Sequence, residues 1–121
     1  RLGVLTDVRM PTAHMRAMLS GCSALVLECN YDQHLLREGP YPPSLKARIG
    51  SRFGHLRNDD SAELLASLDR SRLRHVVGAH LSETNNDPEL VRRALTAALG
   101  GGQAAVSVAH QERGFDWLSM D

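Results

Sequence analysis

The sequence predicts an α/β fold, and three observations predict it. Two short runs, Ala24-Leu25-Val26-Leu27 and His75-Val76-Val77-Gly78-Ala79, lack the polar alternation of a half-solvated strand, as strands covered on both faces do. Segments with helical spacing lie between and around them. The triplet Asp87-Pro88-Glu89 combines a capping aspartate, a proline for the first helical position and an acid for the first turn, the strongest helix start in the chain. The order reads β-α-β-α-α-α-β-α-β, which is an α/β layer arrangement.

Each element follows from its residues. Val4-Leu5-Thr6 forms a short apolar strand with Asp7 at its exit. Thr12 caps a helix that carries Met15, Met18 and Leu19 on one face and stops at Gly21. The strand at 24–27 ends in Glu28 and Asn30, after which Asp32 opens a short helix with Leu35 and Leu36 inward. Gly39-Pro40-Tyr41-Pro42-Pro43 is a loop. From Ser44 a helix places Leu45, Ile49 and Phe53 on one stripe, and Gly54-His55 breaks it. Asp60-Ser61-Ala62-Glu63 has the form of a capping box with Ala62, Leu65 and Leu68 behind it. The strand at 75–79 ends in His80. The helix from Pro88 buries Leu90, Val91, Ala94, Leu95, Ala98 and Leu99 and is stopped by Gly100 to Gly102. Ala104 to Val108 forms the last interior strand, and Phe115 to Leu118 a short edge strand.

Composition narrows the function classes. With 121 residues there is room for one domain at most. Fourteen Lys+Arg balance fourteen Asp+Glu, so no whole-molecule charge argues for nucleic acid, although a local basic patch is compatible with neutrality. No run approaches the roughly 20 apolar residues of a membrane span, and no signal peptide is visible. Cys22 and Cys29 flank a strand, which holds them too far apart for a disulfide. Reduced thiols in a cytoplasmic protein are the expectation. The chain opens on Arg1-Leu2-Gly3-Val4-Leu5, without methionine; this reads as a strand entered from an earlier element, and the sequence as a fragment.

Ligands of open α/β sheets gather beyond the carboxyl ends of the strands. Asp7, Glu28 and His80 fall at such ends. Asp7 has the position of a metal ligand or general base, and equally of a turn-capping aspartate. His80 suits a ligand or a satisfied core histidine. His55 precedes a helix amino terminus, where backbone N–H groups favour an anion; an exposed loop histidine is the alternative. His14, His34, His75 and His110 show no ligand spacing.

Five segments in order carry a resemblance: Leu5-Thr6-Asp7 with Pro11-Thr12, Leu25-Val26-Leu27-Glu28-Cys29-Asn30, Gly39-Pro40-Tyr41-Pro42, Gly54-His55-Leu56, and Ala79-His80-Leu81-Ser82 running into Asn85-Asn86. Together they resemble the C-terminal part of the YycJ-like (WalJ-like) metallo-β-lactamase-fold hydrolases, over nearly the whole chain. The resemblance implies that residues 1–121 are the C-terminal half of a four-layer αββα sandwich. The implied activity is that of a cytoplasmic, metal-dependent nuclease or related phosphodiesterase acting on nucleic acid.

The same resemblance makes Asp7 the carboxylate that bridges two divalent ions, zinc or manganese, and His80 a ligand of one of them. It places His55 as a catalytic histidine by the scissile phosphate, with Asn58 and Asn30 in the substrate's vicinity. Two departures stand out. Tyr31 follows Asn30 where the family usually has histidine, and the H-x-H-x-D-H signature belongs to an N-terminal half that these residues do not include. Asp7 and His80 are two ligands, fewer than the three or so that one catalytic zinc needs, so the fragment alone is expected to be inactive. Two other readings remain open: a β-lactamase-fold hydrolase of a thioester or small phosphodiester, and a non-catalytic α/β interaction module. The expected fold brings Asp7 and His80 together and leaves one apolar sheet face uncovered at 25–27 and 75–79.

Overall fold

A computed structural model describes residues 1–6, 11–51 and 54–110. Nine elements follow in order: β1 (Leu2–Leu5), α1 (Ala13–Leu19), β2 (Ala24–Glu28), α2 (Gln33–Glu38), α3 (Pro43–Ile49), α4 (Asn58–Ser67), β3 (His75–Ala79), α5 (Pro88–Leu99) and β4 (Ala105–Val108). The four strands form one sheet in the order β1-β2-β3-β4, and every neighbouring pair is parallel. This is the α/β class and the alternation expected from the sequence.

The order of strands decides where the helices go. Each connection crosses to the next strand in one direction, and βαβ crossovers are right-handed. Successive crossovers of one hand in one direction place the helices that pack on the sheet, α1, α4 and α5, on the same side. The core agrees: Leu5, Leu25, Leu27, Val76 and Val108 pack with Leu19 of α1, Leu64 and Leu65 of α4, and Val91, Leu95 and Leu99 of α5. On the other side, given by the alternate strand positions, Leu2 and Val4 are 59 % and 57 % exposed. Ala24 and Val77 on that side are buried, yet outside the continuous core. The exposed apolar positions therefore lie on β1, and not at the central runs where the sequence placed them.

Local chemistry fixes most helix ends. Thr12 accepts from the Met15 N–H, Asp32 from Leu35 and Asp87 from Glu89, so the three expected caps form. Gly100 ends α5 at φ 58°, a left-handed value that glycine adopts without steric penalty.

Helix α4 departs from the expected box. It starts at Asn58, with Asp59 and Asp60 in its first turn. Asp60 instead pairs with the Arg57 guanidinium at 3.1 and 3.2 Å, and the Asn58 N–H donates to the Tyr31 carbonyl. One bond is local and one reaches back to Tyr31, and together they start the helix three residues early. Helix α3 buries none of its residues, with Leu45 38 % exposed, and in α1 Met18 is exposed while Leu19 is buried. Both are short outer helices with room to cover the sheet by one residue or none. Phe53 and the edge strand expected at 115–118 lie outside the described residues.

Candidate metal and phosphate site

Parallel strands align their carboxyl ends, so Leu5, Glu28, Ala79 and Val108 finish at one edge of the sheet. Two segments just beyond that edge carry the site. Residues 55–58 run beside the end of β2: Asn30 N–H donates to the Leu56 carbonyl, Tyr31 pairs with Arg57, and the Asn58 N–H returns to Tyr31. Residues 80–82 leave β3 and stay tied to the same strand. There the Ser82 N–H donates to the Asn30 carbonyl at 2.7 Å and the Asn30 side-chain amide donates to the His80 carbonyl at 2.8 Å.

Between the two segments sits Glu28, with 0 % exposure. Its Oε1 lies 2.6 Å from His80 Nδ1 and 3.4 Å from His55 Nδ1, and its Oε2 accepts from the Leu56 N–H at 3.0 Å. Burial pushes this carboxyl upward, but the hydrogen bonds from His80 and the Leu56 amide and the charge of His55 outweigh it, and the net direction is below the usual carboxylate range. The group is therefore ionised at neutral pH. An ionised carboxylate only accepts, so each facing Nδ1 carries a proton, and Nε2 is the ring nitrogen left to bind a metal. This is the carboxylate–histidine arrangement that fixes a metal-binding tautomer. The side chains of His55 and His80 are 40 % and 53 % exposed.

Among the described residues His80 is the one non-glycine with positive φ, at 64°. That conformation costs an L-residue roughly 1–2 kcal/mol, and strain of this kind collects at functional sites. Here the Glu28 carboxylate and the Asn30 amide hold it. Glu28, His55 and His80 each offer one donor atom, all within 4.8 Å of one another, a set able to hold a metal ion. A recess of about 420 Å³ opens beside them, lined by Asn30, Tyr41, Ile49, His55, His80 and Asn85 among others.

Of the residues singled out in the sequence, His55, His80 and Asn30 meet in this site. Asp7 lies outside the described residues, so its approach to His80 is not described either. Asn58 is 3 % exposed at the start of α4, and its amide is committed to Asn86 through bonds of 2.8 and 2.9 Å. Asn86 in turn donates to the Cys29 carbonyl. Tyr31 is 2 % exposed and its hydroxyl lies beside Gly50. Cys22 and Cys29 are both free and buried, and burial pushes the Cys29 thiol up to about 12. The residue that sequence reasoning left without a role is Glu28. Its signal was present, a carboxylate ending an otherwise apolar strand, but its two histidine partners lie 27 and 52 positions away.

No protein-family model matches the chain. It is similar to Exodeoxyribonuclease YycJ of Bacillus anthracis, with 37 % identity over 99 residues, covering 82 % of this chain and 38 % of that protein. It is also similar to Exodeoxyribonuclease WalJ of Streptococcus pneumoniae, with 32 % identity over 105 residues, 87 % of this chain and 39 % of that protein. The chain thus spans 38–39 % of the length of these relatives. The five segments in order and these identities over more than four-fifths of the residues place the chain in the YycJ-like (WalJ-like) family.

Proposed function

We propose that this chain is the C-terminal half of a metallo-β-lactamase-fold, four-layer αββα domain, and that the complete protein is a two-metal phosphodiesterase that degrades DNA from an end. The observation that carries this reading is the 2.6 Å contact between Glu28 Oε1 and His80 Nδ1. It turns His80 into an oriented imidazole with its Nε2 free, which is what a metal ligand requires. The names of the two relatives, both exodeoxyribonucleases, support DNA as the substrate class. The single helix-covered face of the sheet and the exposed Leu2 and Val4 support a second half packed on the other face.

When bound, two zinc or manganese ions polarise the phosphoryl group and supply hydroxide at neutral pH. The chain's residues do the rest. Asp7, two residues after β1 in sequence, would supply a carboxylate to both ions, and His80 would hold one of them through Nε2. Glu28 keeps His80 and His55 in one tautomer each. His55 stabilises charge on the phosphate through its exposed edge. Asn30 holds the His80 carbonyl at the margin of the substrate recess, and Asn58 anchors the segment that carries His55. Asp7 and His80 alone make an incomplete ion site, so the isolated 121-residue chain is inactive. The two free, buried cysteines suit a cytoplasmic setting. No helix among the described residues is long and apolar enough to cross a membrane.

The converging donor atoms of Glu28, His55 and His80 favour one second reading, in which this trio itself holds an ion. Three of the acceptor directions of Glu28 are already used by His80, His55 and the Leu56 amide, which favours the orienting role. The test is hydrolysis of labelled DNA by the complete protein, by the protein stripped with a chelator, and by the isolated chain. Activity is expected in the first, lost in the second and restored by zinc or manganese, and absent in the third. Chelator-resistant hydrolysis, or a preference for a thioester over DNA, would contradict the proposal.

A further inference from the structure

The Gly39-Pro40-Tyr41-Pro42-Pro43 segment has no part in the mechanism above, yet Tyr41 lines the recess that opens beside His55 and His80. The composition of the segment makes it stiff. Each proline fixes its own φ near about −65° and holds the residue before it in extended backbone, and Tyr41 precedes Pro42 and follows Pro40. Gly39 lets the segment pass close to its supports: a Cβ there would stand 2.7 Å from the Leu35 carbonyl oxygen and 3.1 Å from Asn85 Oδ1. Tyr41 is thus a half-buried aromatic residue with a fixed place in the lining. Helix α3, which follows, buries none of its residues, so it does not serve the core. Its last residue, Ile49, lines the same recess, and the Ile49 carbonyl accepts from the His55 N–H at 3.2 Å. The exposed Glu83 is the one carboxylate in the lining. Residues 39–54 hold Lys46, Arg48 and Arg52 and no acid, in a chain whose net charge is zero.

We propose that Tyr41 is the stacking platform for the base of the terminal nucleotide, whose phosphate lies at His55 and His80; the inference rests on the nuclease reading above and deepens it. The recess, at about 420 Å³, falls in the range of about 300–1,000 Å³ that small-molecule sites occupy, and one nucleotide is a ligand of that class. An aromatic and an aliphatic residue beside a histidine site match the two halves of a nucleotide, the flat base and the charged phosphate. The acid-free segment favours an anionic occupant over a neutral one. A base within a duplex has both faces covered by its neighbours, so a protein ring stacks only on a base already out of the stack, as the base of an unpaired end is. Stacking is tolerant of sequence because every base has a π-face, which suits an enzyme that consumes a strand residue by residue. The stiff proline segment presents Tyr41 without a loop-ordering cost on binding.

The experiment uses the complete protein and a single-stranded oligonucleotide whose terminal nucleotides either carry their bases or are the base-free tetrahydrofuran analogue. Binding is read by fluorescence anisotropy with the metal chelated, and hydrolysis with zinc or manganese restored. One stacked base is worth about 5- to 150-fold in affinity. The parent should bind the intact end more tightly than the base-free end by a factor in that range. Tyr41→Ala should lose the difference and Tyr41→Phe should keep it. A contact made equally in ground and transition states raises KM and leaves kcat, so Tyr41→Ala should raise KM on the intact strand and match the parent on the base-free one. A parent that binds both ends alike overturns the inference without any variant. So does a Tyr41→Ala protein that keeps the difference, or one that weakens both ends equally, the mark of a merely structural role. Loss of the difference in Tyr41→Phe would assign it to the hydroxyl and overturn stacking. A Tyr41-dependent difference in binding without any hydrolysis would defeat the nuclease reading alone and leave Tyr41 as a contact for DNA ends.

Discussion

Glu28 holds together more of the site than any other side chain, since its two oxygens accept from two imidazoles and from a backbone amide that is itself interior. A glutamine there has the same volume but one acceptor and one donor, so either the Leu56 N–H or the imidazole protons would face an N–H₂ group. Leaving one buried donor unpaired costs about 1–3 kcal/mol, and Glu28→Gln should lower stability in urea unfolding by that amount at pH 7. The pH dependence has a definite sign. Because the folded carboxyl lies below its ordinary value, its contribution is present above the unfolded value of about 4.3 and is lost as pH falls through the folded one. Glu28→Gln should therefore show a shallower loss of stability below about pH 4.3 than the parent; identical slopes would mean that the carboxylate stabilises nothing. Position alone made His80, Asp7 and Glu28 legible as strand-end polar groups. The convergence on Glu28 was not legible, because it depends on the β2–β3 register and on the 55–58 segment folding back over β2.

Elements rather than single groups set the depth at which the site sits. Helix α5 lies close on β3 because Gly78 has no side chain: a Cβ there would stand 2.5 Å from Val91 Cγ1 and 3.3 Å from Leu95 Cδ1. Val91 is stiff at χ1 in a helix, so the strand or the helix would have to shift. Gly78→Ala should cost about 1–3 kcal/mol, as overpacked core positions do, read as a lowered urea midpoint. A neutral or stabilising result would show that α5 has slack against the sheet. The strands and capped helices were readable because their signals are local: an apolar run, a Thr or Asp at the cap, a proline after it. The start of α4 was not, since Arg57 and Tyr31 decide it from outside the helix. The outward turn of α3 escaped for a related reason, as a 3.6-residue stripe says which face is apolar but not whether anything lies against it.

At the scale of the molecule, the strand order and the handedness of its crossovers put α1, α4 and α5 on one side, and that side holds the continuous core. The other face shows Leu2 and Val4 on β1 to solvent, and the chain corresponds to 38–39 % of the proteins it resembles. The sequence carried the α/β class and the family; the burial of Ala24 and Val77 outside the core depends on packing that no local pattern encodes. The proposed site likewise belongs to the whole protein, with Asp7 and His80 contributed from this part. The most direct test is metal analysis of the purified complete protein and three variants beside their rates on DNA. Asp7→Ala should lose both ions and activity, since an anionic bridge offsets the repulsion of two cations about 3.5–4 Å apart. His80→Ala should lose about one ion, because an imidazole nitrogen binds one. His55→Ala should keep its metal and slow by about 10²–10³, the usual effect of removing one positioned donor. Full activity in Asp7→Ala, or metal loss in His55→Ala to the extent seen in His80→Ala, would contradict the assignment.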